Sequence, residues 1–530
     1  MELWSPPTEL TRREELLMKR LTRTRKLFGF LRLCRRELFD DAFQSELIAM
    51  YRSTGAGRVP RCPAVMAMAT LLQGYVGASD AEAVELTVVD SRWQLVLGTL
   101  GDEKPAFSQG ALVDFRARLI AHDLDRRLLE RTAEIARRTG GFDARKLPQT
   151  LRVAVDSAPL EGAGRVEDTI NLIGHAARKL ARCAAKLLNR DLEDVCLDAE
   201  IPLLLEPSIK RGLDRTWSDD EDKTAALNDL LVQVDSLCRW VTRVFADAVA
   251  EPPLREHLED VQQFIEQDLE PDPDAPSRRK IRSGVAPDRR VSVEDKEMRH
   301  GRKTKARRFD GYKRHIARDV DAGLILACAV APANRPEHLA ADELALDLER
   351  VQRPIEQLFI DRAYIGAGLV DAVELGGGEI VCRPWAMTNG KFFAKRDFAV
   401  NIRRRTITCP AGQTESITFG STATFDPEVC DRCELRSRCT DASPGHGRTV
   451  LISDNEARQQ RLRRLAAMPS GRAILRRRVG VEHSLAHVTR RQGHRARYRG
   501  SRKNLFDLRR ASAVTNLETI HRSGPALKAA

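Results

Sequence analysis

The sequence predicts a multi-domain α/β protein, and three observations carry that reading. At 530 residues the chain is too long for one hydrophobic core. Two stretches, QTLRVAVDSAPL from Gln149 and EQLFIDRAYIGAGL from Glu356, read as strands, and each ends on an aspartate, Asp156 and Asp361. The segments between and around them carry the apolar period of helices.

Residues 1–148 are expected to be helical. Glu14 to Glu37 is basic and amphipathic, and its cations are candidates for contact with a polyanion. Pro63 sits in the first turn of a buried helix, CPAVMAMATLLQGY. Ser79 and Ser108 are expected N-caps. A further helix runs to about Arg138. The period then changes to that of a strand up to Asp156. From 167 to 290 it returns to helix, which reads as an insertion in an α/β domain, and EPDPDAPSRRK reads as a polar loop. RFDGYKRHIARDVD and GLILACAVAPAN read as two strands turning at Asp321–Gly323. A helix, the Asp361 strand, a second helix and strand EIVCRP follow. Short strands are expected over 391–425, and basic helices from Asn455 onward.

Composition narrows the function classes. A net charge of +12 points to a polyanionic partner. Aromatic content of 5% argues against a base-stacking single-strand module. The longest apolar run, from Gly323, is too short to span a bilayer, and the N-terminus lacks a signal-peptide core, so no membrane association and a cytoplasmic address are expected. Eleven cysteines, an odd number in a long chain, do not suggest a disulfide framework. Cys34, Cys62, Cys183, Cys196, Cys238, Cys328 and Cys382 are scattered and read as ordinary thiols.

The carboxylates carry the chemistry. An aspartate at a strand end is ordinarily a helix cap or a turn acid. It is also what a sheet edge presents where ligands of open α/β folds bind. A third acid, Glu482, is expected inside a helix, where no cap is needed. Between Gly471 and Arg510 thirteen Arg or Lys stand against Glu482 and Asp507, which concentrates the chain's positive charge there. Glu482 has two readings: an i,i+4 ion-pair partner of Arg478, or a metal ligand on a cationic rim. Asp156, Asp361 and Glu482 converging would suit a pair of Mg²⁺ (or Mn²⁺) ions in phosphoryl transfer.

Here the chain resembles bacterial insertion-sequence transposases of the DDE class. The resemblance rests on FSQGALVDFRARL, VAVDSAPL, GRKTKARRFDGYKRH, LFIDRAYIG, the cysteine cluster, and VEHSLAHV…GHRARYRGSRKN…AVTNLE. It implies an RNase H-like mixed sheet with a helical N-terminal domain, a helical insertion and a small Cys-rich subdomain. The organisation it suggests is 1–148 for docking on DNA, 149–166 with 291–400 for the first part of the catalytic core, 167–290 for the helical insertion, 401–453 for the Cys-rich insertion, and 454–523 completing the core. It implies Asp156, Asp361 and Glu482 as the metal-binding triad. It also implies double-stranded DNA (terminal inverted repeats and target) as partner, and a homodimer or higher oligomer at work. The associated Tyr-Arg-Glu-Lys signature is partial. Arg478 stands at its interval, but Leu475 replaces the Tyr and Thr489 the Lys, which shifts phosphate positioning to Arg490 or Arg491. Competing readings are a nuclease without strand joining, a non-catalytic DNA-binding regulator, and a zinc-stabilised structural protein.

The remaining cysteines, Cys409, Cys430, Cys433 and Cys439, follow C-x20-C-x2-C-x5-C, a spacing that can close a structural Zn²⁺ site. Arg478, Arg490, Arg491, Arg497, Arg499, Lys303 and Lys313 are the candidate DNA contacts. His300 is expected to face phosphate beside Lys303, and His483 and His487 have i,i+4 metal spacing but pack equally well. Asp295 and Asp310 read as loop acids, and Arg362 and Tyr364 as packing or ion-pair residues.

Overall fold

A computed structural model describes residues 2–22, 26–51, 60–138, 149–304 and 306–523. The boundary expected at 148, and Lys305 of the GRKTKARR segment, lie outside the described residues. The centre is a six-stranded mixed sheet: β1 (Leu151–Glu161), β2 (Arg299–Arg302), β3 (Arg308–Asp319), β4 (Ile325–Pro332), β5 (Ile355–Phe359) and β6 (Glu379–Val381). β2 and β4 share one edge of β3, and the order then runs β3-β1-β5-β6. β3 lies antiparallel to β1, from Val153 opposite Asp319 to Glu161 opposite Gly311. β5 lies parallel to β1 and β6 parallel to β5. β1 is therefore central, and Val153, Ala154 and Val155 are buried on both faces, as a strand covered by helices requires.

Alternation along β1 and β5 divides two cores. Val153, Val155, Leu358 and Ile360 pack with the helices Glu337–Glu349 and Gly368–Leu375. Ala154, Leu160, Ile316 and Phe359 pack on the opposite face with Val481, Leu485 and Val488 of the helix Val479–Gln492 and with the C-terminal helix Ser501–Ser523. The N-terminal helices belong to that same core: Phe28, Met68, Leu72, Trp93 and Phe115 are part of one buried cluster with the sheet. An ionic hub reinforces the junction. Asp123 and Asp125 pair with Arg502 and Arg509 of the C-terminal helix, and Arg509 continues to Asp347.

Ser79 and Ser108 cap their helices and Pro63 begins its own, all as expected. The basic segment from Glu14 to Glu37 differs. It forms two helices, Arg12–Arg20 and Lys26–Leu38, and two of its cations turn inward. Arg32 pairs with Glu14 at 2.6 Å, and Arg35 donates to the carbonyls of Leu95 and Val96. The expected EPDPDAPSRRK loop is instead a hairpin, Leu269–Asp272 with Ala275–Ile281. It extends a helical region (Thr169–Leu188, Asp220–Val244, Leu254–Asp268) that owns a separate core. The Cys-rich region has five three-residue strands and a core of only seven buried apolar residues, Phe398 and Phe425 among them. Among the described residues no helix is long and apolar enough to cross a membrane.

Candidate active site

Asp156 and Asp361 lie near enough to influence each other's charge, and Arg478 links Asp156 to Glu482; two of the three acids sit differently from expectation. β1 does not end at Asp156 but runs five residues further, paired to β3 throughout. Its other neighbour, β5, stops at Phe359 opposite Ala154. The aspartate therefore lies just past the point where half of the sheet falls away. Glu482 is not in a helix interior. The helix Pro469–Arg476 breaks at Arg477–Arg478, and Glu482 sits in the first turn of the next helix, where the dipole favours a carboxylate. Gly480 leaves room there for the Arg318 guanidinium of β3, which a Cβ would approach to 2.6 Å and push aside. Asp361 follows β5 as expected and caps the turn Arg362–Tyr364, accepting from the Ala363 amide at 2.9 Å. The capping reading is met.

By alternation Asp156 points with Ala154 to the face covered by the Glu482 helix, and Asp361 follows Phe359 to the same side. Arg478 joins the acids. Its guanidinium lies 3.2 Å from Asp156 and 2.8 Å from Glu482. Burial raises the pKa of Asp361; the Ala363 amide and Arg478 oppose that shift, and the charges of Asp156 and Glu337 add to it. Glu337 has Lys313 as its own partner at 3.0 Å, which leaves Asp156, Asp361 and Glu482 with more negative charge than Arg478 alone balances. Glu337 was not singled out from the sequence, because its helical neighbourhood carries no motif.

In donor chemistry, carboxylate oxygens without thiol or imidazole suit a hard divalent cation. In arrangement, no group of three or more His, Cys, Asp or Glu side chains among the described residues is set to hold an ion, and Arg478 bridges Asp156 to Glu482 directly.

Several candidate DNA contacts are spent within the protein. Lys313 is 9% exposed, pairs with Glu337 at 3.0 Å and donates to the Arg335 carbonyl. Arg491 pairs with Glu518 at 2.5 Å and lies over the Tyr75 ring. Arg497 donates to the carbonyls of Gly77 and Ala78 at the end of the helix Pro63–Val76, where helix carbonyls lack partners. Arg499 pairs with Glu294. Lys313, Arg491 and Arg497 are cations that a neighbouring acid or helix terminus claims first, whereas Arg499 stays 55% exposed in a surface ion pair. Arg490 and Lys303 remain exposed, the latter in the turn between β2 and β3. His300 pairs with Asp310. His483 is exposed and His487 half-buried, and neither joins a metal group. Asp295 is not a solvated loop acid: it is 1% exposed and accepts from Tyr312 at 2.5 Å.

Cys409, Cys430, Cys433 and Cys439 line one small cavity with Phe393, Phe425 and Arg448. Burial raises the Cys439 thiol pKa, Arg448 lowers it, and the other three thiols raise it further. The four therefore face one another, although they too form no closed metal group.

A mixed sheet whose central and adjacent strands carry acids beside a cationic helix is an arrangement that phosphoryl transfer can use. Residues 285–517 match the Transposase DDE domain family and residues 18–118 match the Transposase domain (DUF772) family. The chain belongs to the DDE transposases of insertion sequences. No curated protein and no solved structure matches it. The DDE match contains Asp361 and Glu482 but begins after β1, so Asp156 lies outside it.

Proposed function

We propose that this transposase binds the terminal inverted repeats of its element, hydrolyses DNA at the element ends, and joins the freed 3′-hydroxyls to target DNA. Asp156, Asp361 and Glu482 would hold Mg²⁺ (or Mn²⁺). A bound ion pair would activate the attacking water or 3′-hydroxyl and stabilise the leaving 3′-oxygen. Arg478 moves from its carboxylate partners toward phosphate as DNA arrives, and Arg490 and Lys303 carry backbone contacts, which supply most of the affinity. The cysteines hold a structural Zn²⁺. Two copies act together on paired ends, in the cytoplasm on nucleoid DNA.

The observation that carries this reading is the Arg478 guanidinium. It contacts Asp156 and Glu482 and electrostatically opposes the raised pKa of Asp361. One arginine thereby relates three acids far apart in sequence. The test uses a supercoiled plasmid carrying the coding sequence with its native flanking DNA, incubated with protein and Mg²⁺. Wild type is expected to cut at the flanks and yield joined product, and Asp361→Asn to abolish both. Cutting without joining would indicate a nuclease. Unchanged cutting by Asp361→Asn would remove the triad, and no cutting by wild type would favour a DNA-binding regulator.

A further inference from the structure

Beneath the acids, on the other face of the sheet, lies a hydrogen-bonded pair of buried polar groups that packing alone does not require. Tyr364 and His315 are fully buried. The Tyr364 hydroxyl meets His315 Nδ1 at 2.6 Å, and the rings stand edge to face with centroids 5.9 Å apart. His315 lies on β3 directly opposite Ser157 of β1, and Ser157 stands beside the Tyr364 phenol, whose raised pKa it opposes. With the phenol donating to Nδ1, the imidazole hydrogen sits on Nε2. That Nε2 is buried without a partner. A phenylalanine and a leucine would fill the same space without leaving a polar atom unsatisfied.

The positions are informative. Ser157 follows Asp156, and Tyr364 closes the turn that Asp361 opens. One phenol therefore ties β3 and the turn after β5 together, beside β1, from behind the acids. We infer that Tyr364 and His315 are positioning residues that set the Asp361 turn against the Asp156 strand. They touch no substrate and act through the separation of the two aspartates. A phenol hydrogen-bonded to β3 beside Ser157 resists sliding of the turn past the strands, which apolar contact alone does not. Misplacement of reacting groups by about 1 Å can cost on the order of 100-fold in rate.

The inference rests on the assignment of Asp156 and Asp361 to the site, so the test separates the two. Tyr364→Phe, His315→Leu and His315→Asn are compared with wild type and Asp361→Asn in the plasmid cleavage assay across a Mg²⁺ titration. Binding to the same DNA without divalent ions and thermal midpoints are measured alongside. Tyr364→Phe and His315→Leu are expected to cut about tenfold or more slowly and to need more Mg²⁺ for half-maximal rate, with DNA binding unchanged. His315→Asn, which keeps an acceptor near the Nδ1 position, is expected to recover most of the rate. The double variant Tyr364→Phe/His315→Leu should be little worse than either single one. Wild-type rate and Mg²⁺ dependence in Tyr364→Phe would overturn the inference, as would losses that merely follow the thermal midpoint. If Asp361→Asn itself still cuts, the fault lies in the site assignment instead.

Discussion

Replacing Arg478 with alanine isolates the electrostatics of the site. Of its two contacts, the one to Glu482 involves a carboxylate with 50% side-chain exposure, so solvent screens it to below about 1 kcal/mol. The one to Asp156, at 14% exposure, is less screened. Together they are worth about 1–2 kcal/mol, equivalent in a chain of this size to a thermal-midpoint loss of about 1–2 °C. The pH dependence has a definite sign. Burial raises the Asp361 pKa, so the folded state holds that proton more tightly than the unfolded chain does. The stability this contributes is present at acid pH and is lost as pH rises through the raised value. Arg478 opposes the shift, so its removal raises the pKa further and deepens the loss toward neutral pH. A divalent ion bound by the same acids would compensate: at ten times its dissociation constant it restores about 1.4 kcal/mol. The assay is thermal unfolding of wild type and Arg478→Ala from pH 4 to 8, with and without Mg²⁺. The variant should lose more stability than wild type toward neutral pH and regain more on Mg²⁺ addition. Parallel pH profiles with equal Mg²⁺ responses would refute the reasoning.

Other outcomes follow from individual side chains. Lys303→Ala and Arg490→Ala should weaken binding to the flanking DNA and each lower the salt-dependence slope by about 1, without moving the thermal midpoint. Arg497→Ala should do the reverse, since that guanidinium serves the carbonyls of Gly77 and Ala78; a salt slope lowered by Arg497→Ala at constant stability would contradict this. Elemental analysis of protein purified without chelator should give one zinc per chain. Cys433→Ser should lose the zinc and expose the region around Phe398 and Phe425 to protease, because seven buried apolar residues are a small core for such a region. Asp125→Ala removes the carboxylate that Arg502 meets at 2.6 Å and Arg509 at 3.2 Å, but Arg509 keeps Asp123 at 2.7 Å, so the cost in chemical unfolding should be about 1–3 kcal/mol.

Legibility varied with the range of the interactions. Ser79, Ser108 and Pro63 were readable because a cap or a first-turn proline acts within four residues. VAVD and LFID were readable as strands because an apolar run that stops at an acid is a local pattern. Where β1 ended was not, since its continuation past Asp156 depends on β3, more than 150 residues away in sequence. The fates of Arg491, Arg497 and Lys313 were equally hidden. A basic stretch reads as a nucleic-acid surface until the fold brings Glu518, the Gly77 carbonyl or Glu337 beside it. Tyr364 read as packing because its neighbours, His315 and Ser157, are on other strands.

The same long-range dependence bears on how the protein works as a unit. The match to the DDE family begins after β1, yet β1 holds the sheet together, pairing with β3 on one side and β5 on the other. The helical region between β1 and β2 has its own core and can vary without disturbing that pairing. The N-terminal helices cannot be detached in the same way. They share the core that lies under the Glu482 helix, and Arg502 and Arg509 bind Asp123 and Asp125 across the junction. A force on the N-terminal helices therefore reaches the Glu482 helix through packed side chains.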